Sequence, residues 1–213
     1  MMNTTPTNTS TDFFEVVKSR RAVKQYDASY QMSEAELKEL LEIAGRAPSS
    51  WNLQHWKFFV ITDQDAKQRL LPIAYGQQQV VDASAVIAVL GDLEANRNAE
   101  AVFGPAVAAG LMSAEVKQNL VAQINGAYTI PTVPRDEAIR NASLAAMTLM
   151  LAARAKGLDT CPMGGFDAQK FVEEFRVPSR YLPVMLITVG KAAQPGRPSN
   201  RFPVEETIVW NRF

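Results

Sequence analysis

The stretch from Ile139 to Ala155 constrains the fold of this chain more than any other. It is apolar on nearly every helical face, with Arg140, Asn141 and Arg154 as the exceptions. Pro134 stands shortly before it, and its fixed φ suits a first helical position. A helix that is apolar all round must be covered on every side. The sequence therefore predicts a long helix buried at the centre of the fold.

Composition narrows the class of protein. The chain has 213 residues and 47% hydrophobic content, which is ample for one large domain. Its 22 Lys and Arg balance its 22 Asp and Glu, so the net charge favours neither nucleic acid nor an anionic membrane as partner. Cys161 is the only cysteine, which excludes an internal disulfide and suits a reducing compartment. We expect small molecules or other protein chains as partners.

Neither a membrane span nor a secretion signal is evident in the sequence. No segment reaches the roughly 18 uninterrupted apolar residues of a span, and the start lacks a basic region followed by an apolar run. We therefore expect a soluble, untargeted cytoplasmic protein. Residues 1–11 are mostly Asn, Thr and Ser without a periodic apolar face, which is typical of a disordered tail. Residues 12–213 are expected to form a single domain.

Caps and apolar periodicity predict four more helices. Apolar residues recur at helical spacing in each of them, and three begin at a side chain that can accept a hydrogen bond from the first turn. The first is a short helix with a capping pair at Asp12 and Glu15 that ends at Arg20 and Arg21, and the second has a capping box at Ser33 and Glu36 and ends at Gly45 and Pro48. The third covers Asp65 to Leu71 and ends at Pro72. The fourth is capped by Asp167.

Short runs rich in β-branched and aromatic residues predict strands at Phe58 to Thr62, Ala85 to Gly91 and Val184 to Gly190. Residues 96–133 are punctuated by glycine and proline, and only Ser113 to Ile124 is clearly helical there. After Gly190 the chain is rich in proline and ends in an apolar stretch, residues 207–213. Such an end needs a cover, for which a partner subunit is a natural candidate.

Two short segments carry the side chains of a ligand site. Residues 20–24 supply three cations within five positions, and residues 48–54 supply hydroxyls and amides that both donate and accept hydrogen bonds. A phosphorylated heterocyclic ligand needs an anion-binding end and groups for the edges of a flat ring. Flavin mononucleotide (FMN) is one molecule of that description. Taken alone, the first segment is also compatible with a solvated basic turn, and the second with an ordinary polar loop.

From residue 13 to its C-terminus the chain resembles the nitroreductase family of FMN-dependent oxidoreductases. The resemblance depends on the order and spacing of four segments, which are Arg20 to Lys24, Ala47 to Trp56, Cys161 to Phe166 and Asn200 to Pro203. It implies an α+β fold, an α/β/α sandwich with a central, mainly antiparallel sheet and a buried long helix. It also implies an intertwined homodimer with FMN at the interface and a C-terminal arm exchanged between subunits.

The resemblance assigns roles to the cationic residues. Arg20 and Arg201 correspond to phosphate ligands, which can grip one phosphate in fork geometry. Arg21 and Ala22 correspond to positions along the ribityl and phosphate path. Lys24 corresponds to a cation near the pyrimidine end of the flavin, where it favours the reduced state. No side chain of the chain itself is implied to be catalytic, and no metal is implied.

The resemblance also assigns the polar and glycine-rich segments to FMN. The implied contacts from the first segment, in part to the FMN of the partner subunit, are Pro48, Ser49, Ser50, Asn52 and Gln54. Those over one flavin face are Pro162, Met163, Gly164 and Gly165, where glycine lets a backbone N–H approach the ring. Gln78 is a weaker correspondence. Considered alone, the glycine pair is equally an ordinary turn.

This chain departs from the family pattern at three positions, one of which is Gly76, where asparagine is often seen. Many members have proline where it has His55, which we interpret as a loop residue rather than an acid or base. Some members have an acidic residue at the position of Gly164, so a contact from that side chain is absent. The sequence alone does not reveal what residues 96–133 and the polar tail do.

The implied activity is a two-electron ping-pong transfer. NADH or NADPH visits the flavin transiently and gives it a hydride, and a flat acceptor such as a nitroaromatic or quinone then takes two electrons. Two alternatives stay open. The chain could be an FMN-binding redox sensor without turnover, or a family member with another reductive activity, such as dehalogenation or enoyl reduction. The physiological acceptor and the choice between NADH and NADPH are not legible in the sequence.

Overall fold

The computed structural model describes residues 12–213, so the expected disordered tail, residues 1–11, lies outside the described residues. The helices are α1 (Phe13–Ser19), α2 (Glu34–Ala44), α3 (Gln64–Ile73), α4 (Gln79–Asp82), α5 (Ala99–Ala108), α6 (Ala114–Ala127), α7 (Val133–Ala155) and α8 (Ala168–Glu174). The strands are β1 (Trp56–Ile61), β2 (Ala85–Asp92), β3 (Asp159–Met163) and β4 (Tyr181–Gly190).

The four strands form one sheet in the order β1-β2-β4-β3, and every neighbouring pair is antiparallel. Side chains of β2 alternate between two cores because successive residues of a strand point to opposite faces. Ala85, Ile87 and Val89 pack in the core that includes residues of α2 and α7. Val86, Ala88 and Leu90 pack in the core that includes residues of α3 and α8. The predicted α/β/α sandwich is confirmed.

The long helix α7 lies across the sheet, and its polar exceptions have structural partners. Asn141 is only 1% exposed and is hydrogen-bonded on both sides of its amide. Arg154 donates from Nη1 to Asp159 Oδ1 at 3.1 Å and from Nε to the Ser19 hydroxyl at 3.0 Å. These bonds tie the end of α7 to β3 and α1. Leu144 and Met147 project from another side of the helix and remain 42% and 40% exposed in the single chain.

Several elements differ from the sequence prediction, among them α4, a single helical turn that was not predicted. β3 was not predicted because its five residues include a proline and carry no strand periodicity, and pairing with β4 makes it a strand. α5 was not predicted because Gly104 and Pro105 lie within it. α3 continues through Pro72 to Ile73, since proline has a helix-compatible φ and near a helix end it removes only one hydrogen bond.

The segment after β4 returns to the beginning of the chain. The Asp27 N–H donates to the Lys191 carbonyl and the Ala193 N–H to the Gln25 carbonyl, both at 2.9 Å. We call residues 191–197 the strap. Beyond the strap, the apolar C-terminus is exposed in the single chain, with Trp210 at 79%. Exchange of this arm in a homodimer therefore stays a prediction. Among residues 12–213, no helix combines the length and apolar character required to cross a bilayer.

Candidate functional site

The turn over residues 20–24 lies between β3 and the C-terminal strap. Arg20 ends α1, and its N–H donates to the Val16 carbonyl at 3.1 Å. The Val23 N–H then donates to the Thr160 carbonyl of β3 at 3.1 Å, next to a parallel bridge between Ala22 and Thr160. The strap is hydrogen-bonded to Gln25 and Asp27, which follow this turn. The turn is thus fixed by parts of the chain that are remote in sequence.

This arrangement brings Arg20 and Arg201 into electrostatic contact. Partial burial lowers the pKa of Arg20, and the positive charges of Arg201 and Arg21 lower it further. Arg201 itself is exposed, and its Nη1 donates to the Ser199 hydroxyl at 2.9 Å and to the Asn200 carbonyl at 2.8 Å. Like charges held close together repel, and an anion placed between them would relieve the repulsion. The pair has the charge and the donors to hold a phosphate.

A cleft of about 640 Å³ opens between the 20–24 turn and the strap. Gly196 lets the strap approach the turn, because a Cβ there would lie 2.6 Å from Cβ of Arg21. The volume is within the usual range for a small-molecule site. The cleft is lined by Ala22, Lys24, Gln25, Gln194, Pro195, Gly196 and Arg197.

The positive field of the turn reaches β3. Burial raises the pKa of the Cys161 thiol, while the charges of Lys24 and Arg20 act in the opposite direction. Arg21 is arranged differently from its neighbours, because its guanidinium donates to the carbonyls of Lys18 and Arg20. Lys24 and Arg20 are therefore the cations directed at the start of the glycine-rich segment. Arg21 closes the end of α1.

The Ser49–Gln54 segment has an unusual backbone. Trp51, Asn52 and Gln54 have φ values of 51°, 55° and 52°, a region that side chains other than asparagine rarely adopt. The Ser49 hydroxyl accepts from the Gln54 N–H at 3.0 Å, and the Gln54 side chain donates to the Asn52 carbonyl at 3.2 Å. Ser50 is bound to α7 instead. In the single chain this segment is bound to α7 through Ser50, and its Leu53 carbonyl accepts from Nδ2 of Asn98, the residue before α5, at 2.9 Å.

The glycine-rich segment, residues 162–165, comprises the end of β3 and the two glycines after it, and glutamines of the neighbouring α3–α4 region contact it. Gln77 donates to the Gly165 carbonyl at 2.7 Å, and Gln79 lies 3.7 Å from Sδ of Met163. Gln78, the member of this triplet singled out from the sequence, instead donates to Asp82 at 2.8 Å. Its spacing of four residues from Asp82 on a helix was the signal that could have separated it from Gln77.

Within the same segment, Met163 is buried, whereas Pro162, Gly164 and Gly165 are exposed. Exposure leaves the backbone here accessible to a ligand.

His55 lies in the loop before β1, as expected, but it is completely buried. Neither ring nitrogen has a hydrogen-bond partner, and burial lowers the pKa of the imidazole. Its carbonyl accepts from the Asp92 N–H at 2.9 Å. This side chain therefore packs as a neutral ring. In the described part of the chain, no group of three or more His, Cys, Asp or Glu residues is arranged to hold a metal.

Comparisons with known proteins identify the family of this chain. The model of the nitroreductase family matches residues 17–191. YodC of Bacillus subtilis (strain 168), named as a predicted NAD(P)H nitroreductase, is 50% identical over 200 residues, which cover 94% of this chain and 99% of YodC. The CLA biosynthesis enone reductase of Lactiplantibacillus plantarum is 30% identical over 196 residues, which cover 90% of each chain.

The fold of this chain is also similar to that of a solved structure. A predicted nitroreductase from Exiguobacterium sibiricum 255-15, crystallised in complex with FMN, superposes with a TM-score of 0.89. It is 41% identical, and the match covers 97% of this chain and all of that one. The family that the four sequence segments indicated is confirmed. The chain belongs to the nitroreductase family.

Proposed function

We propose that this protein is an FMN-dependent oxidoreductase that uses NADH or NADPH to reduce nitroaromatics, quinones or similar flat acceptors. The observation that carries the proposal is the cleft between the 20–24 turn and the strap, which Lys24 and Arg197 help to line. Arg20 and Arg201, whose charges act on each other, supply two guanidiniums of the kind that suit a dianionic phosphate. FMN carries such a phosphate, and the FMN complex of the 41% identical structure supports this assignment.

Lys24 of the cleft, together with the glycine-rich and Pro48–Gln54 segments, would fit the rest of that molecule. FMN, when bound, would accept a hydride and then release two electrons to an acceptor. Lys24 would place a positive charge near the end of the ring where negative charge accumulates on reduction. The exposed backbone at Gly164 and Gly165 would offer N–H groups to the ring face. The Pro48–Gln54 segment would contribute hydroxyl and amide groups, and Gln77 would hold the glycine-rich segment in place.

We further propose that the functional unit is a homodimer in which the arm over residues 204–213 packs on the partner. The arm supports this because its apolar side chains have no cover in the single chain; Trp210 is 79% exposed and Val204 58% exposed. The exposed apolar side chains of α7 provide a surface of matching character. Residues 48–54 would then reach a site shared between subunits.

An anaerobic reduction experiment tests the proposed activity. The purified protein, loaded with FMN, should lose its yellow colour when NADPH or NADH is added under argon. The colour should return on addition of a quinone or a nitroarene. A folded protein that stays colourless after incubation with FMN would refute the proposal. Bleaching that no acceptor reverses would favour a redox sensor over an enzyme.

Enone reduction is a second candidate activity. It is favoured by the 30% identity with the enone reductase of Lactiplantibacillus plantarum over 90% of both chains. The same reduced protein can be mixed with an enone in place of the quinone in stopped-flow measurements. Faster reoxidation by the enone than by any quinone or nitroarene would shift the assignment to enone reduction.

A further inference from the structure

We propose that Glu137 and Asn141 of α7 are positioning residues that hold the Ser49–Gln54 segment in its ligand-binding conformation. The inference rests on the proposed function, since it assigns these residues to the same FMN site. They lie one helical turn apart on α7, so their side chains share one face. The sequence marks Asn141 only as a polar exception in an apolar stretch, and it gives no sign that Glu137 and Asn141 act together on residues 49–54.

The contact geometry carries the first step of the argument. Asn141 is 1% exposed, and its Oδ1 accepts from the backbone N–H of Ser50 at 2.9 Å. Its Nδ2 donates to the Glu137 carbonyl at 2.7 Å and to Glu137 Oε2 at 2.8 Å. Both ends of the amide are thereby used, and the orientation of the side chain is fixed. The amide can only present its oxygen to Ser50.

Charge supplies the second step. Burial alone would raise the pKa of Glu137, but hydrogen bonds from the side chains of Ser50, Asn141 and Arg140 outweigh burial and leave the pKa below its ordinary value. Glu137 is therefore an anion that accepts from the Asn141 amide, while the oxygen of that amide accepts from the Ser50 backbone. Ser50 is thus held at its backbone by one face of α7, with the charge of Glu137 beside it. Arg140, which donates to Glu137 Oε1, compensates the charge from the solvent side.

Backbone strain supplies the third step. The residues directly after Ser50 include Trp51, Asn52 and Gln54 with positive φ. A bulky non-glycine residue in this region raises the free energy of the backbone, and such a conformation persists where the surroundings enforce it. On the side of α7, the hydrogen bond from the Ser50 N–H to Asn141 enforces this conformation. Without them the segment would relax, and Ser49, Asn52 and Gln54 would no longer face a ligand in a fixed arrangement.

Binding measurements on variants test this inference. Asn141→Ala should weaken FMN affinity about tenfold, because the lost hydrogen bond and the relaxed segment both act on the bound state. Glu137→Ala, which changes a partly exposed position, should weaken it in the same direction. Glu137→Gln keeps an acceptor for Ser50 and Asn141 and should largely restore binding. FMN dissociation constants by fluorescence quenching, together with flavin reduction potentials, provide the measurements.

Met150→Ala is the matched control, since Met150 lies on the same helix and packs in the core under the sheet. It should lower the melting temperature of the FMN-free protein without changing FMN affinity or the reduction potential. Unchanged affinity in both Asn141→Ala and Glu137→Ala would overturn the inference while leaving the proposed function intact. Equal losses of affinity in Met150→Ala and Asn141→Ala, at equal loss of melting temperature, would also overturn it. A wild-type protein that binds no FMN would overturn both proposals.

Discussion

β2 and the Ser49–Gln54 segment differ in almost every physical property. β2 is buried at all eight positions and has a hydrogen-bonded strand on each side. The Ser49–Gln54 segment instead contains three of the six non-glycine residues with positive φ in the described chain. It is held by side-chain hydrogen bonds from α7, from Asn98 and from within itself. The comparison shows that burial of β2 stabilises the fold, whereas the strained backbone of the Ser49–Gln54 segment lowers that stability in order to keep a particular shape.

The difference predicts that substitutions in β2 change stability, whereas substitutions at the cationic and polar segments change binding. The strain at Trp51 and Gln54 is tolerable because the sheet and α7 form without it. Ligand residues are free to be exposed and charged for the same reason. Four experiments would break or sharpen this division.

Gly91→Val should have the largest effect. A Cβ at this position of β2 would lie 2.9 Å from both the Cβ and the carbonyl oxygen of Ala138 in α7. Relief requires the sheet and helix to move apart, so we expect a loss of about 3 kcal/mol in the free energy of unfolding. Urea unfolding measures it. Gly104→Ala in α5, which has no atom within 4 Å of the new Cβ, is the control and should be neutral or slightly stabilising.

Removal of residues 204–213 should have the next largest effect, and on association rather than folding. Aromatic residues such as Trp210 dominate interface energies, so loss of the arm should weaken the dimer by about 2 kcal/mol. Sedimentation over a range of concentrations would detect this as a shift toward monomer. The predicted exchange of the arm would be wrong if the truncated chain kept the association constant of the full chain.

Arg201→Ala should act on FMN alone. Removal of one guanidinium from a charge-assisted phosphate contact should weaken FMN binding about tenfold. The urea midpoint of the FMN-free protein should not change, because Arg201 is exposed. Arg212→Ala removes an exposed cation from the same terminal region and serves as the matched control. Equal FMN affinity for wild type and Arg201→Ala would contradict the phosphate role.

The smallest effect concerns the boundary between the two regions, where His55 is buried. Burial lowers the pKa of the folded imidazole below its ordinary value of 6.5. The unfolded chain therefore binds more protons in the window below about pH 6.5, and stability should fall as pH falls through that window. Urea midpoints measured from pH 7.5 to 5 would show it.

His55→Leu is the comparison variant for this pH dependence. His55 is the only histidine in the chain, so the variant removes its only imidazole. Both ring nitrogens lack partners, so leucine leaves no orphaned group behind. The variant should lose the part of the pH dependence nearest pH 6.5. An unchanged profile would assign that dependence to carboxylates instead.

Local patterns were sufficient for much of the architecture. The capping box at Ser33 and Glu36 was recognisable because its signals lie within one turn, and the structure has both of its hydrogen bonds. β2 and β4 were predicted because β-branched runs define buried strands without knowledge of their partners. The four family segments were likewise readable in order along the chain. β3 and α5 were not predicted, since the first depends on its pairing and the second overrides a proline.

What the sequence determined by itself was therefore the set of helices and strands with strong periodicity, the family, and the residue types available to a phosphate and a flat ring. The tertiary structure alone decided that Arg20 meets Arg201, that Gln77 rather than Gln78 faces the glycine-rich segment, and that Asn141 anchors Ser50. The physical reason is the distance along the sequence over which each kind of interaction acts. Periodicity and caps act over a few residues, whereas these contacts are created by strand pairing and helix packing between segments remote in the chain.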